Sequence, residues 1–394
     1  MTAAGLSRST ESVGFPIACI GVTQNNEIVL GGGGGSGRSG VRNKLAVYAI
    51  ESKNSDAKLK KAHELELSSE EDAPTCIAAN PKGKTIVSSI NRSKEEIEKG
   101  QNKNCRVFTV AKTSINGGKS ANTICSVSDY DYQKCITFDP LGKLVAAGAS
   151  DGTLAVLQYP AMHPAFPFVE AADEVNDVSF NTEGKWLAVA TNDELKILKA
   201  KTGSVVQTID NPHTSSGQPA VFRFARFGGE RGVLRFAASK KTKTKMQDAM
   251  YTVLNTKSRK QAYIAIWNTL TWTRITTRPV SNSPITTFAT SRDGTLLAFA
   301  TASLQIGICD AHTLRILTRI HNAHTFAITA LAFDNTGKFL VSGSADETCQ
   351  VIAIPDKWPT AWDTFVTVAH DNIQTIIMVF VMLVAIALSL SLRS

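Results

Sequence analysis

The chain has 394 residues, of which 43% are hydrophobic and 19% charged, and a formal net charge of +8. That composition excludes wholesale disorder and low-complexity architecture, and the charge is too mild to imply a nucleic-acid partner by itself. The seven cysteines, Cys19, Cys76, Cys105, Cys125, Cys135, Cys309 and Cys349, form no CxxC pair and no zinc spacing with histidine; a disulfide scaffold is excluded, and a reducing compartment with cysteines as small core residues is expected.

The opening MTAAGLSRSTESVGFP has no apolar stretch, so no cleavable signal peptide is expected. From residue 22 a pattern recurs: an apolar strand, a turn, a second strand ending in small residues, then a third strand. The first copy turns at Asn25-Asn26 and its third strand is Leu45 to Ile50. The second turns at Gly83, with Arg106 to Val110 as third strand. The charged stretches 51–72 and 91–104 read as mobile loops. Clear copies turn at Gly142, Gly184, Gly294 and Gly337, and a weaker one near Gly232. The tightest spacings, 142 to 184 and 294 to 337, are 42 and 43 residues. A period of about 40–45 residues with four strands per unit is that of a WD40 propeller. Seven units predict an all-β, seven-bladed WD40-like β-propeller over residues 1–355. One four-stranded blade cannot bury both faces, whereas radial packing can.

Asp151, Asp193 and Asp346 fall in the turn before a third strand, where a carboxylate can accept backbone N–H groups. His321 and His324 precede the last unit and are read as structural. The segment Lys240 to Lys260 carries seven basic residues. It reads as a solvated hairpin insertion, with anionic lipid headgroups as the functional option. Nucleic-acid binding is not expected. Beyond a linker, 356–371, residues 372–392 hold no charge, and Ile376 to Leu388 is apolar throughout. This length fits one transmembrane helix, with a tail at 393–394 on the far side and the propeller facing the cytosol.

The unusual segment is Gly31-Gly-Gly-Gly-Gly-Ser-Gly-Arg-Ser-Gly-Val-Arg-Asn-Lys44, between the second and third strands of the first unit. It spells GxGxxG at residues 35–40, but a dinucleotide fingerprint must open a helix, and the run from Lys44 reads as a strand. No Gly-Lys-Ser/Thr follows, so it is no P-loop. Two readings remain. One is a flexible glycine hairpin. The other is a loop whose glycines turn carbonyls inward to replace the water around a monovalent cation. No hydrolytic constellation stands out among the seven scattered histidines.

Together, Val13-Gly-Phe-Pro16, the run Gly31 to Gly35, Gly40-Val41-Arg42-Asn43-Lys44-Leu45 and His324-Thr-Phe-Ala-Ile-Thr329 resemble the Sec-twelve type of guanine-nucleotide exchange factor. The resemblance covers the whole propeller and the anchor. It implies loading of GTP onto the Sar GTPase, which starts COPII vesicle formation at the endoplasmic reticulum membrane, with no bond chemistry. It also implies that Gly40, Val41 and Asn43 contact the GTPase in a potassium-stabilised exchange loop. Gly31, Gly32, Gly33, Gly34 and Asn43 would line a K+ site. Arg42 stands where that family is expected to have proline, and Ser36 to Ser39 lengthens the run. A membrane-tethered WD40 scaffold without exchange activity is the alternative.

Overall fold

The structure is a computed structural model and describes residues 6–37, 40–53, 56–210, 212–214, 216–228 and 248–358. Residues Met1–Ile354 form one compact unit and Pro355–Ser394 a second. The expected membrane span 372–392 and its tail lie outside the described residues, as does the linker from 359 onward. Among the described residues no helix is long and apolar enough to cross a membrane.

The compact unit consists of seven antiparallel sheets, six of four strands and one of five. Blade 1 runs Ile17–Val22, Ile28–Gly32, Lys44–Lys53 and Asp56–Glu66. Blades 2 to 7 begin with Ile77–Ala79, Gln133–Phe138, Asp177–Phe180, Ala220–Phe227, Ile285–Thr290 and Ile328–Phe333. Blade 7 has only three strands of its own. Its fourth comes from the other end of the unit: Arg8–Ser12 pairs antiparallel with Thr348–Ala353, Thr10 opposite Gln350. The ring is therefore closed by main-chain hydrogen bonds between residues some 340 positions apart, which removes the edge that blade 7 would otherwise expose.

The sequence pattern explains the layering. Second strands such as Leu144–Ala149 (LVAAGA) and Leu296–Thr301 (LLAFAT) are buried nearly throughout. Each sits between two neighbouring blades, so both faces of the pleat need apolar or small side chains. First strands surround a central cavity of about 660 Å³. The turns expected between first and second strands are present, with left-handed φ at Asn26, Gly142, Gly184, Gly294 and Gly337. Blade 5 departs from expectation. Its second strand is Ala249–Thr256, not the segment after Gly232. The turn expected near Gly232 and the first part of the basic stretch, 240–247, lie outside the described residues.

Two stretches expected to be mobile loops are ordered. Residues 51–53 and 56–66 extend the outer hairpin of blade 1, with Glu51 opposite Lys58 and paired at 2.8 Å to Lys60. Residues 91–104 hold a short helix, Lys94–Glu98, and three buried asparagines, Asn91, Asn102 and Asn104. Asn104 Nδ2 alone donates to Ser89, Thr123 and Gln133. Polar residues that read as loop in the sequence here satisfy one another inside the fold.

The structural roles assigned to the turn aspartates divide. Asp151 accepts the backbone N–H groups of Cys125, Ser126 and Thr153. Asp346 accepts those of Thr325 and Thr348. Asp193 instead is exposed and forms an ion pair at 3.0 Å with Lys257 of blade 5. Of the two histidines, His324 is buried between Thr348 Oγ1 and Ser342 Oγ, each at 2.8 Å, and His321 is exposed. All seven cysteines are free and six are buried. Burial pushes the Cys76 thiol up to about 11, so these are core groups rather than nucleophiles.

Candidate functional site

In an antiparallel blade, successive connections emerge at alternate ends. The loops joining second to third strands therefore share one face with the loops leading to the next blade. Hydrogen bonds confirm this neighbourhood: Leu67 N–H donates to the Asn43 carbonyl at 2.8 Å, and Asp72 N–H to the Asn91 carbonyl at 3.0 Å. The glycine segment belongs to this face.

The structure divides that segment in two. Gly31 and Gly32 are strand residues, opposite Leu45 and Lys44 on one side and Cys19 and Ile17 on the other. They are glycine because the backbone is crowded: a Cβ on Gly32 would strike the Pro16 carbonyl, and one on Gly31 would lie 2.9 Å from Pro74 Cβ. The loop proper begins at Gly33, whose N–H donates to the Pro16 carbonyl at 3.0 Å. It ends where Lys44 re-enters the sheet as a strand, as expected.

Asn43 organises what lies between. The side chain is 2% exposed. Its amide oxygen accepts the Gly35 N–H at 2.9 Å. Its amide nitrogen donates to the Gly35 carbonyl at 3.1 Å and to the Glu71 carbonyl at 2.8 Å. The first two bonds mimic a strand pair and need Gly35 at φ +77°, a conformation that costs an L residue about 1–2 kcal/mol. Asn43 is thus an internal clamp, not an exposed contact. The exposed part of the loop is its tip, with Ser36, Gly37, Gly40 and Arg42 on the surface. Val41 is half-buried against the cluster containing Phe15 and Leu30. Of the three residues expected to touch a partner, then, Gly40 is presented outright, Val41 in part, and Asn43 holds the loop from behind.

Arg42, Lys44, Lys61, Glu64 and Glu66 beside the loop are in ion pairs. Arg42 meets Glu66 at 2.6 Å, both largely in solvent, an arrangement worth at most ~1 kcal/mol. Glu64 lies 2.5 Å from Lys61 and 3.4 Å from Lys44, and the hydrogen bond from Lys61 holds its carboxyl below the usual range. Beneath the tip is a cavity of about 460 Å³ bordered by Gly35, Ser36, Val41, Arg42, Leu67 and Glu70. Among the described residues no group of three or more His, Cys, Asp or Glu side chains could hold a metal ion. Among the described residues the loop's oxygens are uncharged, and the carbonyls of Gly33 and Gly34 lie outside the strand, which ends at Gly32.

Sequence reasoning missed Glu71, placed in a stretch taken for solvated loop. It is 9% exposed, bridges Arg92 and Arg106, and its carbonyl receives the Asn43 amide. No period or motif marks it, because its partners come from blade 2.

Comparison with known proteins gives a consistent picture. Residues 315–352 match the WD domain, G-beta repeat family, spanning the last strand of blade 6 and most of blade 7. The guanine nucleotide-exchange factor SEC12 of Candida glabrata is 25% identical over 380 residues, 93% of this chain and 77% of the relative. SEC12-like protein 2 of Arabidopsis thaliana is 24% identical over 325 residues, covering 82% and 74%. The rat SEC12 exchange factor is 24% identical over 205 residues, covering 51% and 47%. Among solved structures, Chaetomium thermophilum Raptor superposes with a TM-score of 0.65 at 10% identity over 89% of this chain and 29% of its own. That likeness concerns the propeller fold alone.

Proposed function

We propose that this Sec12-type propeller is a guanine-nucleotide exchange factor acting on a Sar-type small GTPase, and that the loop from Gly33 to Asn43 is the element that drives nucleotide release. The observation that carries the reading is the clamp: Asn43, 2% exposed, fixes both backbone groups of Gly35 and so ties down the first arm of an otherwise entropically costly glycine loop. An exposed Gly40 presented beside a clamped loop arm can occupy space in a partner's nucleotide site at a lower ordering cost than an unanchored hairpin.

The mechanism is linkage. A protein that binds the nucleotide-free GTPase more tightly than the loaded form weakens nucleotide binding by the same factor. The tip at Gly40 to Arg42 would displace contacts to phosphate and Mg²⁺, and no covalent bond changes. The uncharged span 372–392 supports a membrane anchor, which on this reading lies in the endoplasmic reticulum. Anchoring would raise the concentration of activated GTPase where COPII assembly begins. A K+ ion is part of the proposal. The carbonyls of Gly33 and Gly34 and the second lone pair of Asn43 Oδ1 are the groups that would hold it. They are uncharged donors of the kind that replace a monovalent ion's water. Gly31 and Gly32, committed to the sheet, contribute less than the sequence suggests. When bound, the ion would order the loop; Asn43 supplies the rest of that order.

The test is release of a fluorescent GDP analogue from a Sar-type GTPase by the full chain in detergent. Acceleration over the intrinsic rate is expected, with a marked slowing by Asn43→Ala. Binding without acceleration would leave the chain an anchored scaffold.

A further inference from the structure

Asn43 can hold the loop only as firmly as its own anchor is held. Two of its three bonds lie within the loop; the third runs to the Glu71 carbonyl at 2.8 Å. Glu71 sits in the connection between blades 1 and 2, where its N–H donates to the Ser68 carbonyl at 3.3 Å and the N–H of Asp72 to the Asn91 carbonyl at 3.0 Å, and its side chain adds two further ties to blade 2. One carboxylate oxygen meets Arg92 Nη1 at 3.0 Å, the other Arg106 Nη1 at 2.8 Å. Both arginines belong to blade 2, Arg106 on its third strand opposite Ser88. Arg92 is placed in turn by its N–H on Asn102 Oδ1 at 3.1 Å, and Asn102 donates to Asn91 Oδ1 at 3.1 Å.

The sheet does not call for a guanidinium at that place. The residue opposite the fourth position of the second strand is Arg106 in blade 2. In blades 1, 3, 4, 6 and 7 the same register position holds Leu45, Ala155, Lys196, Gly307 and Gln350. Arg106 is also expensive there. Its side chain is 12% exposed, and its Nε and Nη2 find no hydrogen-bond partner among the described residues. A buried cation is tolerated only beside its counter-ion, and here that counter-ion is the carboxylate beneath the loop. Blade packing gains nothing from the pair that an apolar residue would not supply better. The residue it immobilises is the one that receives Asn43.

We propose that Glu71, clamped by Arg92 and Arg106, is a positioning residue: it transmits the rigidity of blade 2 through its own carbonyl to Asn43 and thereby sets the geometry of the loop arm at Gly35. The claim rests on the exchange reading for its activity readout, but not for its structural one.

The experiment uses the full chain with Glu71→Gln, Glu71→Ala, Arg106→Met and Arg106→Lys, beside Asn43→Ala. Amide hydrogen exchange across residues 33–43, melting temperature and release of labelled GDP are measured on each. Loss of one hydrogen bond corresponds to about 3- to 10-fold. Glu71→Ala and Arg106→Met are therefore expected to raise loop exchange and slow release by about that factor, with protection elsewhere in blades 1 and 2 unchanged. Arg106→Lys, which keeps the charge, is expected to recover part of both. Should Glu71→Ala or Arg106→Met fail to fold, Glu71→Gln, which keeps one acceptor and the volume, carries the comparison. Unaltered loop protection and release in folded Glu71 variants, with Asn43→Ala still slow, would overturn the positioning role. Loss of protection spread evenly over the blade would do the same. If wild-type protein releases no nucleotide, the functional reading fails, and loop exchange still decides this one.

Discussion

His324 is buried with Thr348 and Ser342 hydroxyls on its two ring nitrogens and Asp346 Oδ1 at 3.4 Å. Burial holds its imidazole below the usual value of 6.5, with Asp346 opposing. A histidine kept neutral in the fold charges more readily when unfolded. Its contribution is therefore complete above about pH 6.5 and lost as pH falls below it. Asp177 works in the other sense: burial pushes its carboxyl up to about 6 despite Arg226, so the folded state takes up a proton there first and gains as pH drops from 6 towards 4. Comparing melting curves of wild type and His324→Gln cancels Asp177. The difference should narrow from pH 7 to pH 5, by at most ~1.4 kcal/mol per pH unit. A second expectation concerns Gly35. Its φ of +77° should make Gly35→Ala cost about 1–2 kcal/mol locally, and the added Cβ would approach Asp72 Oδ1 at 3.0 Å. The loop should lose amide protection while the melting temperature moves by no more than about 4 °C. His324, Asp151 and Asp346 could be read from residue type and place within the repeat; Asp193, in the same place, could not, since it faces Lys257 of the next blade. Asn43 could be singled out, but as a contact; its inward-facing role depends on a backbone shape that appears only once Gly35 is left-handed.

Among the elements, the strands and their order within a blade follow from apolar runs and turn residues, and third strands begin within a residue or two of where they were expected. What the pattern hides is who supplies the last strand. Arg8–Ser12 reads RSTES, polar throughout, because it is the outermost strand with exposed alternate positions. Hydrophobic periodicity is silent about such a segment. Its bonds make a sharp prediction. Ala353 N–H donates to the Ser7 carbonyl and Val13 N–H to the Glu347 carbonyl. In an antiparallel pair hydrogen-bonded residues alternate, so Ser9 and Glu11 point their N–H groups into the ladder and Thr10 points outward. Glu11→Pro should lower stability by about 1–3 kcal/mol, and Thr10→Pro distinctly less, as read from denaturant midpoints. The stretch 91–104 shows the same lesson from the polar side. Its charge suggests solvent, yet Asn91, Asn102 and Asn104 are 4%, 2% and 0% exposed, because Asn91 and Asn104 meet Asp131 and Gln133 on the way into blade 3 and Asn102 meets Asn91 and Arg92 of the same stretch.

At the scale of the whole molecule, the ring gives the glycine loop what a single blade could not: a fixed base on two blades at once. If K+ orders the loop, release by wild type should be several-fold faster in potassium than in sodium at equal ionic strength. Asn43→Ala, which loosens the loop from within, should shrink that ratio; equal rates in both salts would remove the ion from the account. Blade count and period were legible because the repeat is written in turn glycines and small residues. The coupling of blade 1 to blade 2 through Glu71 was not, since it is a contact between units and leaves no trace in the period of either.

Ring closure also has a schedule. Arg8–Ser12 leaves the ribosome long before Thr348–Ala353, its partner. At roughly 5–20 residues per second the interval is on the order of tens of seconds. Throughout it, a strand with unpaired main-chain groups waits beside a growing stack of half-covered sheets, an open invitation to pair with neighbouring chains. A polar, charged latch such as RSTES is well suited to that wait, since it stays soluble until the last blade arrives to claim it.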